Sequence, residues 1–179
     1  MRADAVRNLD AVLQTGARLL HQDPATSIAT IAAEAGVDRR TVYRRFVDRE
    51  TLVAAIYRAK LEACQEVVDQ ARLNEAPVPI ALHRYAEGII DVSRRWPIDL
   101  SRLQQDEQSA LRLHELIGCL DAFMERATRE GVIRPGLPDR WARSQLIHLT
   151  NLAAHEMPEL TPAQGADLIV QSLLEGIGT

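Results

Sequence analysis

The stretch from Ser27 to Phe46 constrains the fold most, because it predicts two short helices joined by a tight turn. Apolar residues at helical spacing within residues 28–35 give the first helix a buried face. Ser27 can cap that helix, since its hydroxyl can accept a hydrogen bond from a free backbone N–H. Gly36 tolerates a positive φ, which a turn between helices often needs. Asp38 can then cap the second helix, so local signals define both helices and the turn.

The second helix combines a buried anchor with a cationic surface. Val42 and Phe46 are four residues apart and therefore point to the same side, toward a core. The remaining surface of this helix consists of Arg39, Arg40, Thr41, Tyr43, Arg44 and Arg45. A charge run alone is usually only a solvated helix face. Together with the turn and the two caps, however, this arrangement suits a helix that enters a DNA major groove.

The order and spacing of several short motifs in residues 1–52 fit one known family without gaps. The matching segments are Leu9 to Leu20, Thr26-Ser27-Ile28, Ile31-Ala32, Ala35-Gly36-Val37, Thr41-Val42-Tyr43, Phe46 and Glu50-Thr51-Leu52. This part of the chain resembles the DNA-binding domain of the TetR family of bacterial transcriptional regulators. The remainder is similar to the family only in length, in its all-helical pattern and in its C-terminal pair of helices.

Three positions depart from the family pattern. The family usually has Ser or Thr where Asp38 lies, and the carboxylate of Asp38 would lie near DNA phosphates. A small residue, commonly Gly, often occupies the position of Arg40, so this arginine adds a potential base contact. Asp48 and Arg49 stand where the family commonly has Ser-Lys, which keeps the basic position and gives the next helix a cap.

Side chains near the start of the second helix are the predicted base readers. An arginine can bond bidentately to O6 and N7 of guanine, and we assign this role to Arg39 or Arg40. Thr41 can contact a thymine methyl or a phosphate, and Arg44 can contact either a base or a phosphate. Tyr43, Ser27 and Arg49 are instead predicted phosphate contacts, which fix the position of the protein on the duplex but read no sequence.

The pattern along the whole chain predicts an all-α protein of about nine helices. We expect a three-helix helix-turn-helix DNA-binding domain at residues 1–48 and a helical regulatory and dimerisation domain at residues 49–179. The predicted helices outside the motif are 4–21, 49–73, 80–95, 98–105, 109–130, 139–156 and 161–176. The last of these begins with Thr161-Pro162-Ala163-Gln164, a capping box with proline at the first helical position.

The charge of the chain is divided unevenly between its two ends. Residues 1–60 carry a net charge of +3, whereas residues 61–179 carry −7. The basic end therefore coincides with the predicted DNA-binding end. Because DNA repels an acidic surface, the remainder of the chain favours docking through one face only.

Wide apolar faces mark the two C-terminal helices. Their predicted interface residues are Trp141, Leu146, Leu149, Leu152, Leu168, Ile169 and Leu173. Packing within one chain explains part of this pattern. The family resemblance implies in addition a homodimer, in which two helices from each subunit form a four-helix bundle. Two-fold pairing would double the contacts to a palindromic double-stranded DNA operator.

The resemblance also implies a small-molecule effector bound in the C-terminal domain, which would release a repressor from its operator. The candidate ligand-binding residues are Tyr85, Trp96, His114, Phe123 and Met124. Each of these residue types is more often plain core or helix surface than a ligand contact. The sequence does not identify the effector, and it implies no cofactor and no metal.

Three other interpretations compete with this one, and one of them is a regulator that responds to a protein or to no ligand at all. A small helical enzyme lacks support, because His148 and His155 are seven residues apart on one helix, about 10 Å, too far to share a metal ion. A redox-responsive regulator would use Cys64 and Cys119, although single cysteines are more often inert packing residues. The chain shows no signal peptide and no apolar run of about 18 residues, so we expect a cytoplasmic protein without a membrane partner.

Overall fold

The computed structural model describes residues 2–100 and 107–178, and within these residues the chain forms eight α-helices. They are α1 (Arg2–Gln22), α2 (Ile28–Glu34), α3 (Arg39–Arg45), α4 (Arg49–Ala71), α5 (Val78–Arg95), α6 (Glu107–Arg129), α7 (Trp141–His155) and α8 (Pro162–Ile177). The described part contains no extended strand, and one isolated bridge pairs Ile133 with Gly178. The prediction of an all-α fold is therefore confirmed.

The helix count is eight where about nine were expected. The difference arises at the predicted short helix 98–105, most of which lies outside the described residues. Ile98 and Asp99 themselves are not helical, because the chain leaves α5 through Trp96-Pro97 and proline cannot continue a helix. The other helices predicted for the C-terminal part agree with α5 to α8 to within a few residues.

The chain divides into two compact units. The first, the N-terminal unit, contains Met1–Leu61 and Arg95–Ala110, and the second, the C-terminal unit, contains Glu62–Arg94 and Leu111–Thr179. The N-terminal unit thus extends beyond residue 48, because the first half of α4 contributes Leu52 and Ile56 to its core, both almost fully buried.

The core of the N-terminal unit is formed by apolar side chains from its four helices. They are Val12, Leu13 and Ala17 of α1, Ile28, Ile31 and Ala32 of α2, Val42 of α3 with Phe46 just after it, and Leu52 and Ile56 of α4. Gly16 lets α1 approach α4 closely, since a Cβ there would lie 2.7 Å from Cδ1 of Ile56. The buried ammonium of Lys60 donates a hydrogen bond to the carbonyl of Ile98 at 2.5 Å.

In the C-terminal unit, α7 and α8 pack against each other and against α5. Gly165 permits the contact, because a Cβ at this position would lie 2.9 Å from Cδ1 of Ile90 and 3.3 Å from Cβ of Ala153. The predicted capping box is present at the start of α8: the N–H of Gln164 bonds to Oγ1 of Thr161, and Oε1 of Gln164 accepts from the N–H of Thr161.

Arg94 fixes the end of α7 to α5. Its guanidinium donates to the carbonyls of Ala153 and Leu160, both at 2.8 Å, to Met157 at 3.1 Å and to Ala154 at 3.3 Å. The last carbonyls of a helix have no intrahelical partner and carry partial negative charge. A single half-buried arginine therefore satisfies the C-terminus of α7 and holds the turn to α8.

Asp48 caps α4, as its sequence position suggests. Its Oδ1 accepts hydrogen bonds from the hydroxyl and the backbone N–H of Thr51, both at 2.7 Å. These two bonds hold the pKa of the Asp48 carboxyl below its ordinary value, because they favour the charged form, and the bond from the hydroxyl has the larger effect.

None of the described helices is both long and apolar enough to cross a membrane.

Replacement of glycine by alanine should change the free energy of unfolding in opposite directions at two positions, one on α5 and one on α6. A Cβ at Gly88 would lie 2.7 and 2.9 Å from the two methyl carbons of Val67, a stiff β-branched residue. Gly88→Ala should therefore lower the free energy of unfolding by about 1–3 kcal/mol. Gly118 lies in the middle of α6 with open space around it, so Gly118→Ala should raise the free energy of unfolding by about 0.5–1 kcal/mol. Urea unfolding of both variants measures the difference, and a shift of the same sign in both would contradict the packing at Gly88.

The Asp48 cap predicts a pH-dependent contribution to stability. Because the folded-state pKa lies below the unfolded value of about 3.8, the charged cap stabilises the protein fully above that pH, and this stabilisation is lost as the pH falls from 3.8 through the lower folded-state pKa. Asp48→Asn should lower the melting temperature by similar amounts at pH 7 and pH 5. The deficit should shrink as the pH falls below about 3.8. Thermal unfolding of both proteins at each pH measures this, and a deficit that grows in acid would contradict the prediction.

Candidate nucleic-acid interface

The N-terminus of α2 is capped as predicted. Oγ of Ser27 accepts a hydrogen bond from the N–H of Thr30 at 3.1 Å, and the two hydroxyls of Ser27 and Thr30 are 2.9 Å apart. Both residues are exposed, so their hydroxyls lie on the surface at the start of the helix. Ile28 and Ile31 lie on the opposite side of α2 and are buried.

The turn between α2 and α3 depends on Gly36. This residue has a φ of 66°, in the left-handed region that glycine adopts without a steric penalty. The N–H of Gly36 bonds to the carbonyl of Ala33 at 3.1 Å, and the N–H of Val37 to that of Ala32 at 3.0 Å. This pair of bonds is the Schellman motif, which ends α2 and redirects the chain.

A cap and an anchor together fix α3. Oδ1 of Asp38 accepts hydrogen bonds from the N–H groups of Arg40 at 2.9 Å and Thr41 at 3.3 Å. On the inner side, Val42 and Phe46 are only 3% and 5% exposed. The carboxylate of Asp38 is therefore occupied by the backbone of α3, and the orientation of the helix is set by its two buried side chains.

The outer surface of α3 carries positive charge that no acidic side chain among the described residues neutralises. Arg39, Arg40, Thr41, Tyr43, Arg44 and Arg45 are all exposed. In the described part of the chain, none of the four α3 arginines has a carboxylate within ion-pair distance. The guanidinium of Arg39 lies 5.1 Å from the centroid of the Tyr43 ring, a cation–π contact that orders both side chains.

Arg49 serves a structural purpose that the sequence did not indicate. Its side chain reaches back to the loop before α2 and donates hydrogen bonds to the carbonyls of Pro24 and Thr26. A guanidinium has five N–H donors, so several remain for another partner. The structure thus places Arg49 beside Ser27, at the start of α2, where it ties α4 to that loop.

The structure brings together Ser27, Arg39, Arg40, Thr41, Tyr43, Arg44 and Arg49 on the exposed parts of α2, α3 and the start of α4. Thr30 and Arg45 are further exposed polar residues on α2 and α3. Thr30 was missed because a threonine in the first turn of a helix carries no distinct signal in sequence. Arg45 belongs to the cationic surface of the same helix, and its position in the sequence assigns it no specific contact.

The predicted ligand residues differ in their burial and in the unit that contains them. Tyr85, Phe123 and Met124 are buried in the C-terminal unit, and Trp96 is buried in the N-terminal unit. His114 lies on an exposed face of α6. Burial raises the pKa of the Tyr85 phenol well above its usual range, and the nearby Cys64 adds to the effect.

The predicted interface residues also separate into two groups. Leu146, Ile169 and Leu173 are at most 3% exposed within the single chain, because α5, α7 and α8 pack around them. They belong to the core of the protomer, which corrects their assignment to an interface. Trp141 and Leu168 are 48% and 51% exposed, and Leu149 and Leu152 are half-buried.

The remaining candidate chemistry is sparse. Among the described residues, no group of three or more His, Cys, Asp or Glu side chains could hold a metal ion. His148 and His155 are both exposed on α7. Neither Cys64 nor Cys119 forms a disulfide among the described residues, and the first is buried whereas the second is exposed.

Comparison with known proteins agrees with this geometry. The family described as bacterial regulatory proteins, tetR family, matches residues 12–56, which run from α1 into the first half of α4. The HTH-type transcriptional repressor LfrR of Mycolicibacterium smegmatis is 31% identical over 178 residues, which cover 97% of this chain and 92% of LfrR.

Solved structures show the same fold over almost the whole chain. The TetR-like regulator LfrR from Mycobacterium smegmatis in complex with proflavine has a TM-score of 0.71 and 26% identity, covering 97% of this chain and 98% of that one. AibR in complex with isovaleryl coenzyme A and operator DNA has a TM-score of 0.74 and 21% identity, covering 93% and 98%. These matches are to transcriptional regulators, and the identity to LfrR over nearly the full length shows that the chain belongs to the TetR family of bacterial regulatory proteins.

Proposed function

We propose that this protein is a ligand-responsive transcriptional repressor that binds a palindromic operator as a homodimer in the cytoplasm. Residues 1–48 would contact the DNA, and residues 49–179 would dimerise and bind a small-molecule effector. The observation that carries the proposal is the surface of α3. Its four exposed arginines have no acidic partner among the described residues, and a cap and a buried anchor hold the helix in one orientation.

Recognition of bases would depend on the start of α3. Arg40 is exposed and its side chain has no hydrogen bond or ion pair among the described residues, so its guanidinium is available for a guanine in the major groove. Arg39 lies against the Tyr43 ring, and this contact would limit its reach. We therefore assign base reading first to Arg40, with Thr41 and Arg44 as neighbours on the same surface. A good bidentate contact is worth about 1–3 kcal/mol of discrimination.

Phosphate contacts would come from the periphery of α3. Ser27 and Tyr43 present hydroxyls, and Arg49 retains free N–H donors while its other N–H groups fix the loop before α2. Phosphate contacts position the protein without reading sequence. Arg49 would thus do two things, since the same side chain that orders the loop can complete its hydrogen bonding on the DNA backbone.

Dimerisation would use the outer surface of α7 and α8. Leu168 is 51% exposed on α8, and Leu149 and Leu152 are half-buried on α7. Large exposed apolar side chains commonly mark interaction surfaces. A two-fold dimer places two recognition helices on a palindromic site, which doubles the contacts that a seven-residue helix can make alone.

An effector would act by shifting the dimer between two states. The relatives supply the precedent: LfrR has been solved with proflavine, and AibR with isovaleryl coenzyme A together with operator DNA. The strength of such a switch equals the difference in the affinity of the ligand for the two states. We propose no specific effector for this chain.

Arg40 and Tyr43 should differ in how they affect binding. Arg40→Lys keeps the charge but loses the bidentate fork, so it should relax base preference at one position per half-site and cost about 1–3 kcal/mol on the preferred duplex only. Tyr43→Phe should weaken binding to all duplexes by a similar factor. Fluorescence anisotropy on the preferred duplex and its single-base variants separates the two patterns. Unchanged preference in Arg40→Lys, or loss at a single base pair in Tyr43→Phe, would contradict these assignments.

Leu168 should be needed for the dimer. Leu168→Arg places a charge in the proposed interface and should weaken dimerisation at least tenfold, because burying an unpaired charge is costly. Leu111→Arg is the matched control, since Leu111 is 59% exposed on α6, outside α7 and α8. Sedimentation equilibrium measures both variants, with circular dichroism as a check on folding. If both variants remain dimeric, or both dissociate, the interface lies elsewhere.

A further inference from the structure

We propose that the C-terminal unit carries a second, peripheral ligand site that binds a flat aromatic anion. The site, which we call the α6–α7 groove, lies between the C-terminal half of α6, the loop 130–140 and the first turn of α7. Its volume is about 620 Å³, within the range of small-molecule sites. Of the five candidate effector residues, only Met124 borders this groove.

Unpaired arginines give the groove its preference for an anion. Arg129, Arg134 and Arg140 line it, are exposed, and have no acidic partner among the described residues. Arg143 is already neutralised by Asp121, at 2.7 Å. Glu125 and Asp139 also line the groove, so its net charge is +1 within a segment, 61–179, whose net charge is −7.

The start of α7 adds free donors to the same groove. Arg140 occupies the N-cap position with a φ of 64° and makes no side-chain capping bond. The backbone N–H groups of Ala142 and Arg143, which also line the groove, find no acceptor in the described structure. Free N–H groups at a helix N-terminus favour an anionic partner. Here they reinforce the arginine cluster, which lies in the same cavity.

The apolar wall of the groove indicates the body of the ligand. Trp141 is 48% exposed, and Met124, Ile133 and Leu137 continue the wall beside it. An indole face stacks well on a flat aromatic ring. An inorganic anion would leave this wall unused, and a neutral aromatic would leave the arginines and N–H groups unpaired. An aromatic carboxylate or sulfonate satisfies both parts of the groove.

The test uses 8-anilinonaphthalene-1-sulfonate as the probe, with uncharged 1-anilinonaphthalene as its matched analogue. The background is Trp96→Phe, which leaves Trp141 as the one tryptophan in the chain. We expect energy transfer from Trp141 to the bound sulfonate. Arg129→Gln/Arg134→Gln should weaken sulfonate binding roughly tenfold, because charge-assisted hydrogen bonds are lost. The neutral analogue should bind both proteins equally weakly.

The control is Arg58→Gln/Arg84→Gln, which removes the same charge from two exposed arginines outside the groove. It should bind the sulfonate like the parent protein. Equal weakening in both double variants, no weakening in either, or no transfer from Trp141 would overturn the proposal. So would a groove variant that loses its dimer but keeps its sulfonate affinity, since the groove would then be a contact between copies. The assay contains no DNA, so failure here leaves the proposed regulator untouched.

Discussion

The placement of α3 depends on the burial of Val42 and Phe46. A helix of seven residues is too short to be stable alone, because forming its first turn costs more free energy than its few further hydrogen bonds recover. Its position therefore comes from contacts outside itself: two apolar side chains on the inner face, the Asp38 carboxylate at one end and the Gly36 turn before it. With these in place, the arginines have only the outer face available.

The elements around α3 are likewise fixed by buried side chains and hydrogen bonds. Buried Leu52 and Ile56 bring the first half of α4 into the core that holds α3, and Arg49 at the start of α4 bonds to the loop before α2. A displacement of α4 would therefore change contacts at both ends of the helix-turn-helix motif. In the C-terminal unit, Arg94 has a comparable role, since one side chain secures the end of α7 and the turn into α8.

Local rules predicted much of the structure. The Ser27 and Asp38 caps, the Gly36 turn and the Thr161 capping box each depend on residues within five positions of one another, and each is present. The exposed surface of α3 followed from the same local pattern. Those residues carry the family resemblance. It is confirmed by the 31% identity to LfrR, which extends over 97% of this chain.

Other features depend on partners distant in sequence and could not be predicted. Apolar periodicity marked Leu146, Ile169 and Leu173 as facing a partner, but it cannot tell whether that partner is the same chain, and here it is. The carbonyl partners of Arg94 lie 59 to 66 residues away, and those of Arg49 lie 23 and 25 residues away. No sequence pattern around an arginine indicates that its side chain bonds to a distant backbone carbonyl. The roles of Arg94 and Arg49 could therefore be seen only in the three-dimensional structure.

The most direct measurement is enrichment of bound sequences from a random pool of duplex DNA, at near-physiological salt because phosphate contacts are salt-dependent. We expect a two-fold symmetric motif whose half-sites lie about one helical turn, or a multiple of one, apart. We also expect guanine at the half-site position that Arg40 reads. A folded, dimeric protein free of bound small molecules that enriches no motif, or one without two-fold symmetry, would contradict the central claim that α3 reads an operator as one of a symmetric pair.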